Sequence, residues 1–298
     1  MKFTTKKQSN LLEAIMEAYK GISKQKAKQM LGYSAIFLNG QKIEKHPQTQ
    51  IPAQSLLEIT EKSKSDLPTK QNKIVILFED NYYIIGIKPA GILAANDTQI
   101  PTSSSFHKIL ENFLSEKARK KVRLWVVHRL DRNVEGLIIF AKTEFHQQLI
   151  KENWTSVTKK YLALTENKPE NEQGTIESWL MDTATQKVIS FPREREGAKF
   201  AKTEFLFLRP EKRYFLLEMT LHTGRKNQIR VHLAQINCPI VGDRKYGADA
   251  SFDRQIRLAA YKLDFLHPVT SKPVQLHYTP SNRFFNPSQS ADEKYKVF

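Results

Sequence analysis

A single cysteine, Cys238, stands among 298 residues. One thiol cannot close an intrachain disulfide and cannot supply a cysteine-rich metal cluster, so Cys238 is read as a small core hydrophobe. No apolar run approaches the roughly 20 residues of a membrane-spanning helix. The N-terminal Met1-Lys2-Phe3-Thr4-Thr5-Lys6-Lys7 lacks the apolar stretch of a secretory signal. A reducing cytoplasm is the expected compartment, and no membrane is expected among the partners. There is no P-loop, no GxGxxG and no zinc-spaced ligand set. His128, His222 and His232 form no pair at metal-like spacing with an acidic partner. The expectation is therefore no metal and no cofactor. Acidic residues are also scarce, 31 Asp and Glu against 47 Lys and Arg, for a net charge of +16. Such an excess fits a protein that binds a polyanion, because each neutralised phosphate releases counterions. It also fits a merely basic surface, or attraction to anionic membranes.

The length suits two domains. In the first, spanning 9–61, Leu11, Leu12, Ile15 and Met16 recur at helical spacing. A second helix opens after Ser23, with Ala27, Met30 and Leu31 on its apolar face and Lys24, Lys26 and Lys28 on a basic one. Gly32 is the expected stop. Short apolar runs then flank Asn39-Gly40, a hairpin signal, and Leu56-Leu57-Glu58-Ile59 forms a last strand. Residues 62–72 are polar, carry Pro68 and have no periodicity, as in a linker. The second domain, 73–285, alternates strands and short helices without the regular crossovers of a doubly wound fold. Its clearest helix carries Phe106, Ile109, Leu110, Phe113 and Leu114, and another spans 144–152. The fold class is α+β, with a mixed, mostly antiparallel central sheet and flanking helices. Residues 286–298 read as a polar tail.

The chemistry-bearing segment is His128-Arg129-Leu130-Asp131, set between the apolar runs 124–127 and 136–141. It reads as strand, polar turn, strand. Asp131 lies between Arg129 and Arg132, and nearby cations favour the charged form of a carboxylate. That suits a nucleophile, a base or a plain salt-bridge partner, and spacing alone leaves all three open. Two further segments follow, Lys159-Lys160-Tyr161-Leu162-Ala163 and Thr223-Gly224-Arg225-Lys226-Asn227-Gln228-Ile229-Arg230-Val231-His232-Leu233-Ala234, the latter continuing to Pro239-Ile240-Val241-Gly242-Asp243-Arg244-Lys245-Tyr246-Gly247.

In this order the three segments resemble the RluA family of RNA pseudouridine synthases. That family's pattern runs HRLD-x-x-(T/S)-S-G-L-hydrophobic-AK, then KxYxA, then GRxHQIRVHLA with PIVGDxxYG. The Lys88-Pro89-Ala90-Gly91 turn also stands where the family has it. The resemblance covers about 73–285 and implies a mixed sheet with a central cleft. It implies an isomerase that breaks the bond between uracil and ribose, rotates the base and rejoins it through carbon. Asp131 matches the catalytic aspartate, as nucleophile or as base, Arg230 the arginine paired with it, and Tyr161 a ring that holds the uracil. Arg129 matches an arginine that fills the space of a flipped base, and Arg225 is a phosphate or structural contact. His128 is read as a structural hydrogen bonder. The first domain resembles the S4 type of RNA-binding module, with Ala53-Gln54 in place of its usual Gly-Asp. Lys24, Lys26 and Lys28 would then meet RNA.

Two departures bear on specificity. Val134-Glu135 replaces Thr-Ser after Asp131, and Lys226-Asn227 replaces Thr-His. Glu135 puts a negative charge near an RNA site, where Arg132 or Lys226 could compensate it. The expected partner is structured RNA, ribosomal RNA of the large subunit first and transfer RNA next, bound by a monomer. A binding-only ribosome-assembly factor on the same fold and a DNA-binding regulator are the alternatives.

Overall fold

The computed structural model describes residues 2–19, 21–43, 46–61, 74–95, 105–185, 187–249 and 255–287. The chain divides into two compact units, Met1–Asn72 and Lys73–Phe298. The linker expected at 62–72 and the tail from 288 onward lie outside the described residues, as does the side chain of Lys26.

In the first unit the elements run β1 (Lys2–Thr4), β2 (Ser9–Asn10), α1 (Leu11–Ala18), α2 (Lys24–Tyr33), β3 (Ser34–Leu38), β4 (Gln41–Lys42), β5 (Gln50–Ile51) and β6 (Leu56–Glu61). The sheet order is β1-β6-β3-β4. Helix α1 starts with a capping box. Asn10 Oδ1 accepts from Glu13 N at 2.9 Å and Glu13 reaches back to Asn10 N, a device worth about 1 kcal/mol. Leu11, Leu12, Ile15, Ala27, Leu31, Ile36, Leu57 and Ile59 make the core. Asn39 and Gly40 both have positive φ, as the hairpin requires. Two expectations are corrected. Strand β1 pairs with β6, so the sheet begins before residue 9. The second helix also runs through Gly32 to Tyr33, because strand β3 begins at once and needs no left-handed cap.

In the second unit the elements are β7 (Ile76–Glu79), β8 (Tyr83–Lys88), α3 (Phe106–Ala118), β9 (Trp125–Val126), β10 (Glu135–Ala141), α4 (Glu144–Glu152), β11 (Thr158–Thr165), β12 (Gln173–Asp182), β13 (Val188–Phe191), β14 (Lys199–Glu211), β15 (Tyr214–Leu221), α5 (Gln228–Gln235), β16 (Leu258–Leu266), β17 (Pro273–His277) and α6 (Asn282–Phe285). The sheet order is β13-β12-β14-β15-β11-β16-β10-β8-β7, with β17 beside β16 and β9 beside β10. Among the described strands only β10 and β16 pair in parallel. The sheet is thus mixed and mostly antiparallel, and the class is α+β. No helix among the described residues is long and apolar enough to cross a membrane.

The central strand β10 is buried on both faces, which explains its nearly unbroken apolar run. Ile138 and Phe140 join the core under α3 and α5, with Leu110, Leu114, Leu130, Tyr161, Ile229 and Leu233. Leu137 and Ile139 face the opposite core with Tyr83, Ile150 of α4 and Leu263. Cys238 is buried in the first of these cores, and burial pushes its thiol up to about 11. Helix α3 buries Phe106, Leu110 and Leu114 but leaves Phe113 exposed, so its apolar face is narrower than the sequence suggests.

Candidate active site

Asp131 stands in the turn between β9 and β10. Three features hold that turn. Val134 N donates to the Asp131 carbonyl at 3.1 Å, and Gly91 N donates to the Arg132 carbonyl at 2.8 Å. Lys88, fully buried, donates from Nζ to the carbonyls of Pro89, Ile92 and Arg132 at 2.9, 2.9 and 3.2 Å. Burial pulls the Lys88 amine down to about 7, although the charges of Asp131 and Glu135 oppose that shift. His128, at the start of the turn, accepts from Ile139 N through Nε2 at 3.1 Å and packs on Trp154. Burial, helped by the Lys159 charge, lowers His128 to about 4. It is a neutral structural hydrogen bonder.

Gly136 sets the depth of the turn against the sheet. It pairs with Ala260 across the parallel β10–β16 ladder, and its φ is +125°. A Cβ here would lie 2.5 Å from the Ala260 nitrogen and 2.8 Å from its carbonyl carbon. Only glycine allows this approach. On the other side of β16, Ala260 pairs with Tyr161 of β11, next to a register shift between Lys160 and Tyr161. The row Gly136, Ala260, Tyr161 therefore brings the aspartate turn beside the tyrosine ring. Burial, reinforced by the Asp131 charge, raises the Tyr161 phenol well above its ordinary value.

Arg230 sits in the first turn of α5 and is clamped on every side. Its Nε and Nη2 donate to Oδ2 and Oδ1 of Asp243 at 2.6 and 2.8 Å. Its Nη1 donates to Asn227 Oδ1 at 3.0 Å and to Asp131 Oδ2 at 2.7 Å. The Tyr246 ring lies 5.0 Å beneath the guanidinium, and Asn227 Nδ2 donates to the Tyr246 hydroxyl at 2.9 Å. Asp243 is 1% exposed. Burial works against the Arg230 charge, but the Asp243 hydrogen bonds and the two carboxylate charges outweigh it and hold the guanidinium above its ordinary value.

Asp131 is thus fixed through one oxygen. Among the described residues only Oδ2 is engaged, and the side chain is 32% exposed. Asp131 lines a shallow cleft together with Arg129, Leu130, Val134, Tyr161, Arg225 and Ile229, among others. Arg129 is exposed and makes no ion pair among the described residues. Arg225 donates from Nε to the Phe200 carbonyl at 3.0 Å, while Gln228 accepts from Arg225 N and donates to Lys202 O, tying the loop to β14. Such a cleft offers a positioned carboxylate oxygen, a flat ring beside it and cationic walls. That can act on a planar base attached to a phosphate chain.

The structure brings Asp131, Tyr161, Arg230, Arg129 and Arg225 into one cleft. Lys24, Lys26 and Lys28 lie on α2 of the first unit, with Lys24 and Lys28 exposed. The expected compensation of Glu135 is corrected. Glu135 lies on the strand face opposite the cleft, buried, where burial raises its carboxyl against the charges of Arg257, Lys88 and Arg283. Lys226 pairs instead with Asp182 at 2.6 Å. Asn227, a departure from the family pattern, places an amide oxygen on Arg230. Asp243, Asn227, Tyr246 and Lys88 received no role from the sequence. The one signal that pointed to Asp243 was its place in the PIVGD motif.

Comparison with known proteins agrees with this geometry. The family described as "RNA pseudouridylate synthase" matches residues 82–235. The chain is 32% identical over 225 residues to "Uncharacterized RNA pseudouridine synthase YhcT" of Bacillus subtilis, covering 73% of this chain and 72% of that one. It is 34% identical over 206 residues to "Ribosomal large subunit pseudouridine synthase D" of Borreliella burgdorferi, covering 64% and 60%. The solved structure of "Human RNA Pseudouridylate Synthase Domain Containing 4" superposes with a TM-score of 0.58 at 23% identity, over 70% of this chain and 90% of that one, and so shares the fold. A matched family spanning the Asp131 turn, the Tyr161 strand and the Arg230 helix, on a sheet of the same architecture, leaves one assignment: the chain belongs to the RNA pseudouridylate synthase family and is an isomerase acting on RNA.

Proposed function

We propose that this enzyme converts a specific uridine of large-subunit ribosomal RNA to pseudouridine, with Asp131 acting at the sugar–base junction. The observation that carries the reading is the 2.7 Å ion pair of Arg230 with one oxygen of Asp131, which leaves the other oxygen of this cleft-lining carboxylate without a hydrogen bond among the described residues. In the reaction the N1–C1′ bond breaks and a C5–C1′ bond forms. The C5 proton leaves and N1 gains a proton, so no external reductant or donor is required. Two routes are open to Asp131, addition to the ribose or base and proton removal at the ribose. A primary isotope effect from deuterium at C2′ distinguishes the second.

Tyr161 holds its proton at neutral pH, because burial and the Asp131 charge disfavour the phenolate. It serves as a stacking platform for the detached uracil and not as a base. Arg129 fills the gap left by the flipped nucleotide, offsetting an unstacking cost of a few kcal/mol. Arg225 meets a phosphate. In the first unit, read as an S4-like module, Lys24, Lys26 and Lys28 grip structured RNA through phosphates and shape. The large-subunit substrate draws support from the relatives named for that activity in Borreliella burgdorferi and Zymomonas mobilis.

The test is pseudouridine mapping across total RNA from cells with and without the gene. Loss of one or a few sites in large-subunit ribosomal RNA is expected. Loss confined to transfer RNA would overturn the substrate. No lost site, together with no product in vitro, would leave an RNA-binding assembly factor.

A further inference from the structure

We propose that residues 117–123 form a phosphate-binding ledge that grips the RNA outside the target nucleotide. The proposal rests on the reading of the protein as an RNA uridine isomerase and says where the rest of the RNA is held. Five of these seven residues, Lys117, Arg119, Lys120, Lys121 and Arg123, are cationic, and none is acidic. All five are exposed. Several other cations of this unit are spent on carboxylates, as in Lys160–Glu218, Lys202–Glu177 and Lys226–Asp182. Among the described residues none of the five has such a partner. Like charges at this density repel one another and attract a polyanion.

The segment is held rigidly, which separates it from a solvated charge run. Arg119 ends α3 in the left-handed conformation. Ser115 Oγ donates to the Glu111 carbonyl at 2.6 Å and accepts from Val122 N at 2.9 Å. The buried Glu111 carboxylate accepts from Leu124 N at 3.0 Å and from Lys108 Nζ at 3.1 Å. The cations therefore project from a backbone fixed at both ends, with little ordering left to do on binding.

The ledge also lies on the correct face. Helix α3 packs into the same core cluster as Leu124, Leu130 and Tyr161, so it covers the sheet face that holds the Asp131 cleft. Strand β9 leads directly from the ledge to Arg129 and Asp131. Arg123 and Asp131 are eight residues apart, at most about 26 Å along an extended chain. That is less than the roughly 34 Å of one duplex turn, so a stem presenting the target would reach both. Beside the ledge runs a groove of about 770 Å³ lined by Lys108, Asn112, Lys121, Arg123, Trp125 and Glu144. Half-buried Trp125 lines this groove, and an indole ring is a surface on which a base can stack.

The test uses the full chain with Lys117→Gln, Lys120→Gln and Lys121→Gln combined, and unmodified large-subunit ribosomal RNA transcribed in vitro. Filter binding is measured across a salt series alongside steady-state turnover. The expected result is at least a tenfold loss of affinity and a matching rise in KM, with kcat unchanged. The slope of log affinity against log salt should flatten by about 2, since each lost phosphate contact contributes about 0.7–0.9. An unchanged melting temperature checks that the variant is folded. Unchanged affinity and slope overturn the ledge, whatever the turnover. Loss of binding to phosphatidylserine vesicles with RNA binding intact also overturns it, in favour of a membrane surface. If the unaltered protein makes no pseudouridine, the functional reading fails, and the salt slope still decides the ledge by itself.

Discussion

Replacing Asp243 with asparagine keeps the side chain's shape and exchanges two charge-assisted hydrogen bonds, of the four that fix Arg230, for at most one neutral one. An asparagine can accept from one of the two donors and turns its amide protons toward the other. Charge-assisted hydrogen bonds are worth about 1.5–3 kcal/mol each, and the neutral replacement returns about 1. The loss is therefore about 3 kcal/mol, consistent with the cost of breaking a buried ion pair from one side. Arg230 is 8% and Asp243 1% exposed, so solvent does little to soften it. For a unit of this size that lowers the melting temperature by about 6–12 °C. Activity should fall as well. With its second anion gone, Arg230 is free to swing about its bond to Asp131, and a shift of about 1 Å at the reacting group costs on the order of 100-fold in rate. The assays are thermal unfolding and single-turnover pseudouridine formation below the transition. Combining Asp243→Asn with Arg230→Gln should cost much less than the sum of the two. A melting shift under about 2 °C with full kcat would refute the idea that Asp243 holds the catalytic pair.

Gly136→Ala should leave a poorly active protein, because the new methyl meets the Ala260 backbone and forces β10 off β16. A cost of about 2–5 kcal/mol is expected from strain and overpacking, read by urea unfolding together with turnover. Tyr161→Phe keeps the ring and should retain activity within about tenfold, whereas Tyr161→Ala should lose on the order of 100-fold or more by removing a stacking face worth about 1–3 kcal/mol together with the ring's positioning of the base; equal losses in the two would contradict the stacking role. His232 is fully buried between Ser178 and Thr203, and burial lowers it to about 4 from an ordinary 6.5. Its folded form resists protonation, so its contribution is complete above pH 6.5 and is lost as pH falls toward 4. The shift corresponds to about 3 kcal/mol. Unfolding free energy measured from pH 7 to pH 4 should fall accordingly, and His232→Gln should reduce that dependence, leaving the part that His128, lowered in the same way, supplies.

Local pattern carried part of this architecture. The helices over 106–118 and 144–152 follow from their apolar spacing, and the Asn39-Gly40 turn from the need for positive φ at both positions. The turn at Asp131 follows from two apolar runs around a polar tetrad. Beyond the Asp131–Arg230 pair that the family resemblance implied, the clamp on Arg230 was not legible, because Asp243 and Tyr246 meet it only through tertiary packing. Register hid Gly136 in the same way. Its glycine is explained by a strand that lies next to it in space and 124 residues away in sequence. Glu135 misled for a related reason. One residue past Val134 on a strand points to the opposite face, so its charge goes into a buried cluster and away from RNA. The role of β1 was invisible because a three-residue strand has no periodicity to read.

The most direct measurement is single-turnover pseudouridine formation by Asp131→Asn on in vitro transcribed large-subunit ribosomal RNA, with affinity measured in parallel. Asparagine keeps the size of the side chain and an acceptor for Arg230 but removes the negative charge of the cleft-lining carboxylate. The account predicts no detectable product with RNA affinity within a few fold of the unaltered enzyme. Product formed at a comparable rate would contradict it, because the chemistry would then belong to another group.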